Sequence, residues 1–228
     1  MDNMTDPKFG IPKPSKLYTE KFADTFHVKK DIISTGYKKY LEEMFLNENI
    51  WAYLPSVVQP ELTADDQSFG CTIYFSGTIQ PPETKLEPYN SAILGLTLSM
   101  FDAFGIAETI DVIRVRMGLF LPSRSKTFIV NTPHVDFDDS NLLTKNHITI
   151  VYYFNTTDAP TYLYNETSEN IENTVEYGVE HQKDFTVKQI FECEENTAVC
   201  FDGKYYHSSS TNVNSKYRLN MTINGVLR

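Results

Sequence analysis

His134-Val135-Asp136 sets an imidazole and a carboxylate two residues apart, inside the stretch Thr132-Pro133-His134-Val135-Asp136-Phe137. On an extended strand, residues i and i+2 project to the same face. The pair can then aim a ring nitrogen and a carboxylate oxygen at one point. This supplies two members of a 2-His-1-carboxylate set, which holds a non-haem ferrous ion and leaves coordination positions open. Alone the signal is weak, because chance places an H-x-D in roughly one chain in four of this length.

A third ligand must come from a distant strand. His27 precedes the core, and His147 follows Asp136 too closely to curl back on it. His181 lies in a polar stretch and reads as solvated. His207, in Tyr205-Tyr206-His207-Ser208-Ser209, reads either as a satisfied strand histidine or as the missing ligand. Downstream, Tyr217 to Asn224 alternates. Leu219, Met221 and Ile223 share one face, and Arg218, Asn220 and Thr222 the other. If the apolar face packs on a helix or a second sheet, Arg218 points into the barrel, where an unpaired guanidinium costs several kcal/mol. A bidentate ligand carboxylate would satisfy it. In the alternative the strand lies on an outer sheet, with Arg218 in solvent.

The elements that must position these residues can be read from periodicity. Residues 1–18 are polar, with Pro7, Pro12 and Pro14, and read as an extended arm. Spacings of three and four through Ile32, Ile33, Tyr37, Tyr40, Leu41 and Phe45 predict a helix from Phe22 to about Asn47. Cys71–Ser76 reads as a strand. A second helix, apolar nearly all round, runs from Asn90 or Ser91 to Phe104, with Gly105 as its stop. From residue 111 the period becomes two. Val112–Leu121 carries Val112, Arg114, Arg116, Gly118 and Phe120 on one face and a core-facing apolar row on the other. The H-x-D strand follows, then strands at Ile148–Asn155, Thr161–Tyr164, Thr186–Phe191, Thr197–Phe201, Tyr205–Ser209 and Arg218–Gly225. Short strands at this spacing predict a sandwich, jelly roll or barrel. The expected fold is mainly β with flanking helices, as one domain: residues 19–110 mostly helical support, residues 111–228 the β-core with the metal site. The polar segments Pro122–Asn131 and Asn165–Lys183 are candidate entrance loops.

The 228 residues, 41% hydrophobic, suffice for one core, and a net charge of −10 disfavours nucleic acid as a partner. Cys71, Cys193 and Cys200 form no C-x-x-C pair and read as buried thiols in a reducing compartment. With no apolar leader in MDNMTDPKFG and no membrane-length apolar run, the expectation is a soluble, cytoplasmic protein.

In chain order, four elements resemble the Fe(II)/2-oxoglutarate-dependent dioxygenase superfamily in its prolyl-4-hydroxylase-like branch, including small members encoded by viruses and bacteriophages. They are Ile113-Arg114-Val115-Arg116, His134-Val135-Asp136, Val151-Tyr152-Tyr153-Phe154-Asn155, and His207 followed by Arg218. The resemblance spans about Val112 to Asn224 and implies a double-stranded β-helix, the jelly-roll or cupin-like fold. It implies His134, Asp136 and His207 as Fe(II) ligands, and Arg218 and Tyr153 on the distal carboxylate of 2-oxoglutarate, with Thr222 assisting. The His207-to-Arg218 spacing is slightly longer than in the prolyl hydroxylases, so the turn from Ser210 to Lys216 must absorb extra residues. With O2 as oxidant, the implied reaction couples decarboxylation of 2-oxoglutarate to hydroxylation, a peptidyl or prolyl substrate being favoured. Asp136 disfavours halogenation, which needs that coordination position for chloride. Two other classes remain open from the residues: a cupin-type metal enzyme that does not use 2-oxoglutarate, and a non-catalytic jelly-roll module.

Overall fold

Strand alternation builds a two-sheet sandwich whose larger sheet is backed by helices. The computed structural model describes residues 15–47, 51–54, 68–75, 78–79, 87–123, 127–136, 147–168 and 174–228. A helical turn at Tyr18–Phe22 leads into β1 (Phe26–Lys30) and α1 (Thr35–Asn47). Then come β2 (Ala52–Leu54), β3 (Ser68–Phe75), β4 (Thr78–Ile79), α2 (Glu87–Phe104) and β5 (Ile110–Phe120). The remaining elements are β6 (His147–Tyr153), β7 (Thr161–Thr167), α3 (Thr174–Glu180), β8 (Val187–Phe191), β9 (Thr197–Asp202), β10 (Tyr205–Ser208) and β11 (Arg218–Leu227).

The larger sheet runs β1-β9-β6-β11-β5-β3-β2, with β4 on β3, and the smaller runs β10-β7-β8. All of these pairings are antiparallel. This is the jelly-roll architecture expected from the strand spacing. Among the described residues, no helix is long and apolar enough to cross a membrane.

The two faces of the larger sheet differ in chemistry. On one, Val115, Met117, Ile148, Ile150, Tyr152, Ala198, Cys200, Leu219, Met221 and Ile223 meet Leu41 and Phe45 of α1 and Ile93, Leu96, Met100, Phe101 and Phe104 of α2. On the other, Val151, Tyr153, Val199 and Phe201 face Leu163, Phe191 and Tyr205 of the smaller sheet. Because β6 lies between two packed layers, all seven of its residues are buried, which explains its near-continuous apolar run. All three cysteines are free and buried, and burial alone pushes the Cys71 thiol up.

The N-terminal half departs from expectation. Of the supposed extended arm, residues 1–14 lie outside the described residues, and residues 16–22 are helical. Residues 26–30 are not helix but an edge strand paired with β9. Asp24 and Asp31 flank it with φ of 59° and 56°, left-handed conformations that a right-handed helix cannot pass through. The helix therefore begins only after Ser34, whose hydroxyl accepts from the Tyr37 N–H at 3.3 Å. Residues 19–110 also carry β2, β3 and β4, and β3 extends the larger sheet through β5, so this half is not chiefly helical. The α2 helix ends at Gly105 (φ 69°) as expected, and Ile106 N–H caps the Phe101 carbonyl at 2.9 Å. Its surface is not buried all round, because Leu94 and Leu98 face solvent.

Candidate metal centre

His134 and His207 are held opposite each other by two reciprocal backbone hydrogen bonds, each 2.9 Å, that form a single antiparallel bridge. The expected H-x-D strand is thus reduced to one bridge. Pro133 has no N–H to give to a ladder. Its carbonyl is instead covered by α3, where any Cβ at Gly178 would stand 1.9 Å from the Pro133 oxygen. Only glycine lets the helix approach so closely. The expected loop Asn165–Lys183 therefore contains the end of β7 and a helix that braces the H-x-D segment.

The ligand atoms of His134, Asp136 and His207 all lie within 4.8 Å of one another. His134 Nδ1 contacts the Thr132 carbonyl at 3.0 Å, and His207 Nδ1 contacts that of Tyr205 at 3.3 Å. A carbonyl only accepts, so each Nδ1 donates its proton there and leaves Nε2 as the ring atom turned to the shared point. Burial pushes His207 down to about 4, with His134 adding to the effect against the pull of Asp136, so the ring is neutral at physiological pH.

Asp136 is tied at both oxygens. Its Oδ1 takes a hydrogen bond from Arg114 Nη2 at 2.5 Å. Its Oδ2 accepts from Asn224 Nδ2 at 2.8 Å and Thr149 Oγ1 at 3.3 Å. Asn224 Oδ1 accepts in turn from Arg114 Nε at 3.0 Å. Burial opposes ionisation, but Arg114, the two histidines and Asn224 outweigh it and hold the carboxyl well below the usual range. The donor set fits a divalent transition ion: two imidazoles with Nδ1 on carbonyls and one carboxylate held at both oxygens.

At the other end of the same pocket lies Arg218, 1% exposed. Its Nη2 donates to Thr161 Oγ1 at 2.8 Å, while Nε and Nη1 find no partner among the described residues. The Tyr153 hydroxyl also donates to Thr161 Oγ1, at 2.8 Å, and its ring lies beneath the guanidinium, 5.7 Å from centroid to Cζ. Burial pushes Tyr153 up to about 12, so it stays a protonated donor. Thr222 and Asn220 line the pocket beside Arg218, and Leu219, Met221 and Ile223 pack on the helical side. The inward orientation of Arg218 is therefore as the alternation predicts, and the solvent-exposed alternative is excluded by its burial. The long turn after His207 is gathered by Asp158, which accepts from the backbone N–H groups of Val213 and Asn214 and from the Ser215 hydroxyl.

The structure brings together all six residues singled out from the sequence. It adds Arg114, Asn224 and Thr149 behind Asp136, and Thr161 beside Arg218. The sequence set Arg114 on the face opposite the core-facing row, and its place in the pocket and its partner depend on the second sheet and on the register that sets it opposite Asn224. His181 stacks on Tyr177 of α3 and His27 lies on exposed β1, both apart from the pocket residues.

No family model matches the chain, and no curated protein is similar to it in sequence. Solved structures share its fold. An oxidoreductase of the 2OG-Fe(II) oxygenase family from Burkholderia pseudomallei matches with a TM-score of 0.59 at 12% identity, covering 94% of this chain and 93% of that one. HygX from Streptomyces hygroscopicus, determined with nickel and 2-oxoglutarate bound, matches with a TM-score of 0.57 at 8% identity, over 94% and 88%. A prolyl hydroxylase from Trichoplax adhaerens, in complex with a hypoxia inducible factor peptide fragment, matches with a TM-score of 0.54 at 11% identity, over 88% and 83%. The fold is that of the 2-oxoglutarate/Fe(II) oxygenases.

Proposed function

We propose that this chain is an Fe(II)- and 2-oxoglutarate-dependent dioxygenase that hydroxylates its substrate. The observation that carries this reading is Arg218. A buried guanidinium, two of whose nitrogens have no partner among the described residues, opens onto the pocket that holds a His-Asp-His set. A structural arginine buried to this degree has its donors filled. This one is arranged for a carboxylate that the protein itself does not provide.

In this reading His134, Asp136 and His207 hold the ferrous ion, through Nε2 of each ring and the Asp136 carboxylate. Arg114 and Asn224 keep Asp136 ionised and stationary, so the metal site is formed before any ligand arrives. Arg218 pairs with the distal carboxylate of 2-oxoglutarate, Tyr153 and Thr161 fix the guanidinium and offer hydroxyls to the same group, and Thr222 lines its path. Loaded with iron, 2-oxoglutarate and O2, such a centre supplies oxidative decarboxylation to succinate and carbon dioxide coupled to hydroxylation. Phe120 and Val151 give the pocket apolar walls that limit water near the metal.

The resemblance in the sequence supports a peptidyl or prolyl substrate and kinship with small virus-encoded members. The test of the reaction is succinate formation from 2-oxoglutarate by the purified protein with Fe(II) in air. Slow, iron-dependent succinate release that disappears in His207→Ala is expected. Protein that binds iron at this triad yet yields no succinate would contradict the reading.

A further inference from the structure

Among the described residues, three guanidinium groups face the pocket, those of Arg114, Arg116 and Arg218, against the one carboxylate of Asp136. Two have assignments. Arg114 is committed to Asp136 and Asn224. Arg218 sits at the far end with Thr161. Arg116 lies between these ends, in a row across the sheet with Thr72 on β3 and Thr222 on β11. It makes no hydrogen bond or ion pair among the described residues, although it lines the pocket. Its guanidinium lies against β3, where a Cβ at Gly70 would come within 3.3 Å of its Nη2.

Resting on the oxygenase reading above, we infer that Arg116 anchors an anionic group of the substrate, a carboxylate or a phosphate. The charges require a use for it. Once Asp136 offsets Arg114 and the distal carboxylate of the co-substrate offsets Arg218, Arg116 is the guanidinium left over. Burial and the neighbouring Arg114 push its pKa down, and Asp136, already bonded to Arg114, pulls the other way without offsetting them. An incoming oxyanion relieves both effects, and a guanidinium binds carboxylate or phosphate through two parallel N–H bonds. The chain as a whole carries −10, so general surface attraction does not account for anion binding; the attraction is local to the pocket. The substrate class that follows is an acid: a compound, or a residue beside the hydroxylated position of a peptide, bearing a carboxylate or phosphate.

The test uses the full chain loaded with Mn(II) in place of iron and saturated with 2-oxoglutarate, so that nothing turns over. Acetate and methylphosphonate are the anionic probes, and acetamide is the neutral control. Relaxation of the probe methyl protons by Mn(II) reports occupancy near the triad. Wild-type protein should enhance relaxation of both anions and leave acetamide nearly untouched. Arg116→Gln should weaken anion binding by about tenfold or more, with Mn(II) and 2-oxoglutarate affinities unchanged. Arg116→Lys, which keeps the charge and loses the fork, should fall between. Anion relaxation unaffected in both variants overturns the proposal and leaves the oxygenase reading intact. So does a loss of 2-oxoglutarate affinity in Arg116→Gln, which would make Arg116 part of the co-substrate clamp. Failure of Mn(II) or 2-oxoglutarate to bind the wild type removes the oxygenase reading, and the proposal falls with it.

Discussion

The two ends of one pocket are finished to different degrees. At the metal end, both oxygens of Asp136 have partners, and both histidines have their Nδ1 atoms fixed on carbonyls. At the other end, Arg218 is buried with Nη2 on Thr161 and with Nε and Nη1 lacking a partner among the described residues. The first arrangement holds its geometry without a ligand. The second bears an uncompensated charge that a ligand must complete. In the function proposed above, such a site is fixed where geometry matters for the metal and leaves charge open where the co-substrate would bind.

The comparison breaks most completely at the ligands. His207→Ala or His134→Ala should abolish stoichiometric metal binding, checked by metal analysis after anaerobic reconstitution and desalting. Next comes Arg218→Met. It should weaken 2-oxoglutarate by about a hundredfold, as expected when one partner of a buried charge pair is removed. The same substitution should raise the melting temperature of the metal-free protein, because replacing an uncompensated buried cation by an apolar side chain is stabilising by about 1 kcal/mol or more. Asp136→Asn should do the opposite. It takes the negative charge away from Arg114, whose side chain is only 17% exposed, and should cost the metal-free protein about 2–3 kcal/mol in denaturant unfolding. Opposite signs at the two ends are the sharpest form of the contrast.

Smaller effects refine it. Tyr153→Phe removes one hydroxyl from the arginine end and should weaken 2-oxoglutarate by about fivefold in calorimetric titration, with metal affinity unchanged. The pH dependence belongs to the metal end. His207 is held down to about 4 by burial, below its value in the unfolded chain. As pH falls through about 6.5 the unfolded chain takes up a proton that the folded chain refuses, so folding stability drops between about 6.5 and 4. Thermal melts of the metal-free protein across that range should show this slope, and it should flatten in His207→Gln.

How much of this was legible depends on whether a feature is local or needs register. The period of two in Val112–Leu121 and Tyr217–Asn224 is local, and it sorted the two faces of each strand and turned Arg218 inward; that Arg114 and Arg116, set opposite the apolar row of a half-buried strand, also line a pocket became visible only with the second sheet in place. H-x-D is local as well, though Pro133 and the approach of α3 reduced its strand to one bridge. The partners of Asp136 were not legible, because Arg114, Thr149 and Asn224 meet only through the pairing of β5, β6 and β11. Nor was β1, since Asp24 and Asp31 in left-handed conformations end helical periodicity without changing the apolar spacing around them. The expected loop that proved to be α3 shows the same limit: its sequence is polar because one short face, with Gly178 at its centre, makes the contact.

The measurement closest to the central claim is an anaerobic absorption titration of the metal-free protein with Fe(II), followed by 2-oxoglutarate, beside His207→Ala and Arg218→Met. A weak visible charge-transfer band should appear only after both additions. It should be absent from His207→Ala and should require about a hundredfold more 2-oxoglutarate in Arg218→Met. Iron that binds without a response to 2-oxoglutarate, or a band equally strong in Arg218→Met, would contradict the account.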